Sequence, residues 1–140
     1  MIGKKCNDKY TKRIEALAKN SQCEISIYNR MSPEELRDFY RTSDIFAMPS
    51  FTETFGLVYI EALSQGLPIV YTQNEGIDGV FKDHSIGIAT NPTNPNDIAK
   101  DIISIINNFN AYANEVKRIS LEPFMWNCIA SRYSNIYHII

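Results

Sequence analysis

Two glutamates, Glu53 and Glu61, carry the most chemical information in this sequence. They bracket the run Thr54-Phe55-Gly56-Leu57-Val58-Tyr59-Ile60. The run joins a short apolar stretch ending at Pro49-Ser50 to a helix that the pattern places over about residues 54–65, stopping at Gly66. A helix N-terminus has free backbone N–H groups and the positive end of the helix dipole, so this junction can hold an anion. Gly56 lets a ligand approach the backbone, because it has no Cβ. Tight packing of the helix on a sheet would ask for the same glycine, and the sequence does not separate the two reasons. The helix is apolar nearly all round, which predicts a central, buried element. Glu61 is its only charge and therefore needs a partner, either an internal Arg or the hydroxyls of a ligand. Glu53 stands just before the helix, where an acid gains about 0.3–1 kcal/mol from the dipole whatever else it does. Positions 57 and 61 share a helical face and 53 lies at its mouth, so both carboxylates can address one extended ligand. They repel phosphate and suit neutral hydroxyls, whereas the amides of residues 54–57 suit phosphate. Hydroxyls, then phosphates, then hydroxyls again describe a nucleotide sugar.

The elements that must position these residues alternate. Asn7 or Asp8 can cap a helix through about Asn20, with Tyr10, Ile14, Leu17 and Ala18 on one face. Residues 24–28 are β-rich. Ser32-Pro33-Glu34-Glu35 is a strong helix start, and Leu36, Phe39 and Tyr40 form that helix's apolar face. Residues 44–48 have the pattern of a buried strand. Further strands are expected over residues 68–72 and 86–89, with a turn or short helix at 76–79 between them. Pro95-Asn96-Asp97 opens a helix with Ile98, Ile102, Ile105 and Ile106 inward. The remainder reads as helical, with a break near Pro123 and a last helix over about residues 125–137. Strands alternating with helices through short connections predict an α/β, Rossmann-like parallel sheet with helices on both faces. Ligands of such sheets bind beyond the carboxyl ends of the strands, which directs attention to residues 29–32, 49–56 and 72–79.

Composition narrows the classes. With 140 residues there is room for one domain, residues 1–140. A net charge of −2 does not suit a nucleic-acid binder. Cys6, Cys23 and Cys128 lack zinc spacing and are expected to be free thiols in a reducing cytoplasm, and no metal site is expected. Lys4-Lys5 is not followed by the apolar core of a signal peptide, and no stretch reaches the ~18 apolar residues that span a bilayer.

A more specific pattern runs through the same residues. Pro49-Ser50, Glu53-Thr54-Phe55-Gly56-Leu57, Glu61-Ala62-Leu63 and Gly66-Leu67-Pro68-Ile69-Val70 together resemble the signature of the retaining, GT-B-fold glycosyltransferases of family 4, the glycosyl transferases group 1. The core of that signature is an E-x7-E motif, here Glu53 and Glu61. Ser32-Pro33-Glu34-Glu35-Leu36, residues 40–46, Ile86-Gly87-Ile88, Asn91-Pro92, Phe124-Met125-Trp126-Asn127 and residues 133–137 match in order. The likeness is to the C-terminal, donor-binding domain. It implies Glu53 as the catalytic-site acid, with Glu53, Thr54 and Phe55 at the donor sugar. It implies the backbone N–H groups of Phe55, Gly56 and Leu57 at the diphosphate, Glu61 at the ribose, and Asn29, Arg30 and Met31 against the base. The implied ligand is a nucleotide-diphosphate sugar, UDP- or GDP-linked, with no separate cofactor. The implied reaction is transfer of a hexosyl unit with retention to a polysaccharide, lipid-linked or protein glycan acceptor.

The sequence departs from the family in three places. Asn29 stands where Gly is usual, and Asn tolerates the positive φ such a turn needs. Asn74-Glu75-Gly76-Ile77-Asp78-Gly79 replaces a common G-G-x-x-E run, so its acid is missing or displaced to Asp78. Met1-Ile2-Gly3 resembles the end of a strand without its body. The family's phosphate-binding Arg and Lys and its N-terminal domain, which binds acceptor, are expected before Met1, and neither His84 nor His138 replaces the catalytic-site His found there. The expectation is a domain truncated on its N-terminal side and inactive alone, with an exposed strand edge that predicts self-association or marginal stability. A complete enzyme would be cytoplasmic or at the inner face of the membrane. The competing readings are a non-catalytic nucleotide-sugar-binding relic or accessory subunit, a Rossmann-like domain of unrelated role, and a sugar-nucleotide epimerase fold.

Overall fold

The computed structural model describes residues 9–137, so the expectations for Met1-Ile2-Gly3, Cys6, the helix cap at Asn7 or Asp8, and His138 lie outside the described residues. The chain forms two compact units, Met1–Phe39 and Tyr40–Ile140.

In the first unit, α1 (Lys9–Lys19) forms as expected but has no buried residue. Tyr10 and Leu17, on its apolar face, are exposed. The strand expected over residues 24–28 does not form, and Tyr28 alone holds a bridge. Tyr28 instead meets Phe39 edge-on, with ring centroids 5.2 Å apart. The start of α2 (Pro33–Arg41) matches the sequence closely. The Ser32 N–H donates to Glu35 Oε2 at 2.8 Å and the Glu35 N–H to Ser32 Oγ at 3.2 Å, a reciprocal capping box. These bonds hold the Glu35 carboxyl below its usual range.

The second unit is built on a parallel sheet of β1 (Phe46–Ala47), β2 (Ile69–Thr72) and β3 (Gly87–Thr90), in that order. Ile69 and Val70 point to opposite faces, yet each is fully buried, so both faces of β2 are covered. This is the expected α/β, Rossmann-like architecture. β1 corrects the expectation of a buried strand, because Ala47 is exposed and Phe46 half-buried. It has only one neighbour among the described strands. Its ladder runs from the Phe46 N–H to Pro68 O at 3.0 Å and from the Met48 N–H to Val70 O at 3.1 Å.

α3 (Leu57–Ser64) packs on β2, and α4 (Pro95–Asn107) on β2 and β3. α3 stops as the sequence predicts. Gly66 has φ 90°, the Gly66 N–H bonds Leu63 O and the Leu67 N–H bonds Ala62 O, the pattern of a Schellman cap. Asn94 caps α4 by accepting from the Asn96 N–H at 3.0 Å, with Pro95 in the first turn. Ile105 is buried, whereas Ile106, expected inward, is 58% exposed because the packed stripe follows 98, 102 and 105. α5 (Phe109–Val116), a 3-10 turn at Glu122–Phe124 and α6 (Trp126–Tyr137) complete the unit, with Pro123 at the expected break. His84 Nδ1 lies 3.3 Å from Glu115 Oε2, and Arg118 Nη1 lies 2.6 Å from Glu115 Oε1. The bond to His84, and then Arg118, hold the Glu115 carboxyl below its usual range.

Gly87 is required by close backbone approach, since a Cβ there would lie 1.8 Å from Ile69 O. Thr90 is 1% exposed, and its Oγ1 has no hydrogen-bond partner among the described residues. A buried, unsatisfied hydroxyl costs about 1–3 kcal/mol, so Thr90→Val should raise unfolding stability by about 1 kcal/mol. Urea unfolding checks this, and a loss of stability would show that the hydroxyl has a partner in solution.

Candidate functional site

The loop after β1 and the loop after β2 meet at the carboxyl ends of the strands. Side chains anchor each. The Tyr59 hydroxyl donates to Met48 O, tying α3 to the end of β1. The Thr72 hydroxyl donates to Ser50 O at 2.6 Å, tying β2 to the first loop. The Glu53 N–H donates to Glu75 Oε2 at 3.1 Å, joining the two loops directly. The second loop is closed by Asp78, whose Oδ2 accepts from the Asn74 N–H at 2.7 Å, with Asn74 at φ 61°. Asp78 thus has a structural task. The positive-φ asparagine among the described residues is Asn74, not Asn29 as expected.

Helix α3 begins at Leu57 rather than near Thr54. The cause is Gly56, the N-cap residue, with φ 78° and ψ 70°. A left-handed residue cannot continue a right-handed helix, and glycine takes that conformation without penalty. A Cβ on Gly56 would also lie 2.5 Å from the Tyr59 ring. Turn geometry and packing are therefore sufficient reasons for this glycine, independent of any ligand. Among the described residues, no side chain caps α3. The Tyr59 N–H bonds Gly56 O at 2.9 Å, whereas the described hydrogen bonds include none from the N–H groups of Leu57 and Val58. Those two donors remain available at the positive end of the helix.

Glu53 is held tightly. Cβ atoms added to Gly56 and Gly76 would lie 3.3 Å and 2.9 Å from Glu53 Cγ. Gly76, at φ 53°, would also press a Cβ to 3.0 Å from Phe55 O. Phe55 packs 5.7 Å from Phe124, which packs 5.7 Å from Phe81, so the late aromatic segment steadies the motif loop.

Glu61 corrects the sequence expectation. It is exposed, and Leu57 on the same face is 67% exposed, so α3 buries Tyr59, Ala62 and Leu63 but not its whole circumference. An exposed carboxylate pays little desolvation, so the inferred need for a strong internal partner disappears. Its contact is a long one, Tyr40 OH to Oε2 at 3.5 Å. The Arg41 Nε–H donates to Gln65 Oε1 at 2.9 Å.

The structure therefore brings together Glu53, Thr54, Phe55, Gly56 and Leu57, with Glu61 one helical turn beyond Leu57. Asn29, Arg30 and Met31 belong to the first unit, where Asn29 and Arg30 are exposed and Met31 is half-buried. Glu75, Thr72 and Tyr59 were not singled out from the sequence. The bonds of Glu75 and Thr72 to the first loop each join residues 22 apart, and no local pattern announces such a pair.

Burial pushes the Tyr40 hydroxyl up to about 12, aided by the Glu61 charge, and burial with the Glu53 charge does the same for Tyr59. A raised tyrosine pKa favours the folded state below about pH 10, the unfolded value, and that contribution is lost as pH rises toward 12. Burial, then the Asp78 charge, also raises Tyr71. Absorbance titration should show these three tyrosines ionising late, with stability falling as they do, and Tyr40→Phe should remove one of the three.

The description "Glycosyl transferases group 1" belongs to the family model that matches residues 1–119. An uncharacterised glycosyltransferase of Methanocaldococcus jannaschii is 31% identical over 109 residues, covering 76% of this chain and 28% of that protein. The D-inositol 3-phosphate glycosyltransferase of Corynebacterium kroppenstedtii is 32% identical over 113 residues, covering 75% of this chain and 24% of that protein. Sucrose-phosphate synthase from Thermosynechococcus elongatus shares the fold, with a TM-score of 0.78 at 23% identity, over 98% of this chain and 37% of that one. The chain thus spans between 24% and 28% of the length of these two curated relatives.

Proposed function

The chain belongs to the glycosyl transferases group 1 family, and from that premise we propose that it is a donor domain that binds a nucleotide-diphosphate sugar. The complete protein would transfer a hexosyl unit with retention to a polysaccharide, lipid-linked or protein glycan acceptor. One observation carries this reading. Glu53, in the first loop, is bonded to the second loop and lies four residues before the start of a helix that has no side-chain cap among the described residues. Acceptors for sugar hydroxyls and donors for phosphate thus lie a few residues apart.

In this reading the N–H groups of Phe55, Gly56 and Leu57 hold the diphosphate, using the helix dipole. Glu53, with Thr54 and Phe55, holds the sugar, and its fixed stem keeps the carboxylate in register with the hydroxyls. Glu61, exposed on the next turn, accepts from the ribose. Asn29, Arg30 and Met31 contact the base. UDP and GDP are the expected nucleotides. Cys23 and Cys128 are free thiols, which suits the cytoplasm as the site of action. Among the described residues, no helix is long and apolar enough to cross a membrane.

A hydrogen bond to a charged group contributes about 1.5–3 kcal/mol, so Glu61→Ala should weaken UDP or GDP binding by about tenfold or more. Glu53→Ala should leave the bare nucleotide nearly unchanged and remove the extra affinity contributed by the sugar. Isothermal titration with UDP, GDP and their hexose conjugates measures both effects, and identical behaviour of the two variants would refute the division of labour.

A binding role without catalysis by this chain alone is favoured by one feature. Residues 49–59 and 72–79, the two loops proposed to meet the sugar and the diphosphate, contain neither Lys nor Arg. A departing diphosphate needs cationic stabilisation. The purified chain should therefore bind donor yet neither hydrolyse nor transfer it. Steady turnover in a coupled assay for released nucleotide would contradict this.

A further inference from the structure

We propose that Glu75 is a positioning residue for the donor sugar, acting through Glu53 by fixing the backbone that carries it. This rests on the donor-binding function proposed above and assigns a task to a side chain outside the motif. The starting observation is the bond from the Glu53 N–H to Glu75 Oε2 at 3.1 Å, across 22 residues of chain. A bond from a backbone amide to a carboxylate is charge-assisted and stronger than a neutral one. It is also the direct hydrogen bond between the two loops at this point, and it falls on the residue whose side chain would meet the sugar.

Two further observations make the bond directional. Asp78 Oδ2 accepts from the Asn74 N–H at 2.7 Å and the Asp78 N–H donates to Glu75 O at 3.0 Å, which close the turn that carries Glu75. Gly76, immediately after it, lies so close that a Cβ there would come within 2.9 Å of Glu53 Cγ and 3.0 Å of Phe55 O. The residue on each side of Glu75 is thus constrained, and its carboxylate is brought to the Glu53 amide. The sequence departs here from the glycine pair that the family resemblance leads one to expect. A glycine at position 75 could not form this side-chain bond.

The consequence for the ligand is specific. With its amide held, Glu53 enters binding with its backbone already ordered, and the ordering cost is not charged to the sugar. Loss of Glu75 should therefore reduce the affinity added by the sugar. It should leave affinity for the bare nucleotide in place, because phosphate contacts begin at Phe55. A purely structural bond would instead lower both affinities together.

Chain length and chemistry at position 75 distinguish the variants. Glu75→Gln keeps an oxygen acceptor at the same reach. Glu75→Asp is one methylene too short, and Glu75→Ala has no acceptor. The test uses the purified 140-residue chain and has two arms. In the first, amide hydrogen exchange at Glu53 is followed by NMR without ligand. Exchange should be about tenfold faster in Glu75→Ala and Glu75→Asp, and within about threefold of wild type in Glu75→Gln. In the second, UDP is compared with UDP-glucose, and GDP with GDP-mannose. The affinity ratio of sugar conjugate to bare nucleotide should fall about tenfold in Glu75→Ala, with bare-nucleotide affinity within about twofold. In a Glu53→Ala background, adding Glu75→Ala should change that ratio by less than about twofold.

Unchanged Glu53 exchange in Glu75→Ala would overturn the proposal. So would an equal loss of bare-nucleotide affinity, or the same loss with and without the Glu53 side chain. If wild type binds none of the four ligands, the donor-binding reading fails and the role of Glu75 falls with it. If wild type binds them and only the Glu75 effects are missing, the donor-binding reading stands and this inference alone is refuted.

Discussion

The structure depends on the close approach of two loops at the carboxyl ends of a parallel sheet. That approach is possible because glycine stands at three positions. Gly87 lets β3 meet Ile69, Gly76 lets the second loop reach Glu53, and Gly56 turns the chain into α3 beneath it. With the backbones this near, a handful of polar bonds fix the arrangement: Thr72 to Ser50, Glu75 to Glu53, Asp78 to Asn74 and Tyr59 to Met48. Thr72 and Tyr59 tie the end of β2 and the start of α3 to the first loop, Glu75 joins the two loops, and Asp78 closes the second. Elements set by hydrophobic burial thereby impose their order on the segment that carries the chemistry.

Much of this was legible in the residues. The capping box at Ser32, the Schellman end at Gly66, the Asn94 cap and the break at Pro123 are local signals, and local signals survive into the structure. The parallel sheet followed from alternation, since β2 is too apolar to be anything but doubly covered. Three of the failures share one cause. The buried strand over residues 44–48, the inward Ile106 and the fully buried α3 were inferred from apolarity, which says that a side chain prefers cover but not that cover is present. Trp126 at 83% exposure makes the same point.

The motif was legible as a position and less so as a geometry. E-x7-E located Glu53 and Glu61 correctly on a loop and on the helix that follows. It suggested that the helix already ran through Thr54 and that Glu61 was a buried charge. The left-handed Gly56 delays the helix to Leu57, and exposure of the 57–61 face removes the electrostatic reason to seek an internal partner for Glu61. What made Glu61 look costly in sequence makes it available in structure. Glu75 was invisible for the opposite reason, because its one informative bond is long-range.

The central claim is that the amides opening α3 meet phosphate while Glu53 meets sugar. Amide chemical-shift mapping of the chain during titration with a nucleotide-diphosphate hexose tests it most directly. The account predicts that the largest shifts fall on residues 53–58 and on Gly76, and that the bare diphosphate reproduces those at 55–58 but not the full change at Glu53 and Gly76. Perturbations confined to other surfaces, such as α6 or the turn at residues 80–84, with residues 53–58 silent, would contradict it.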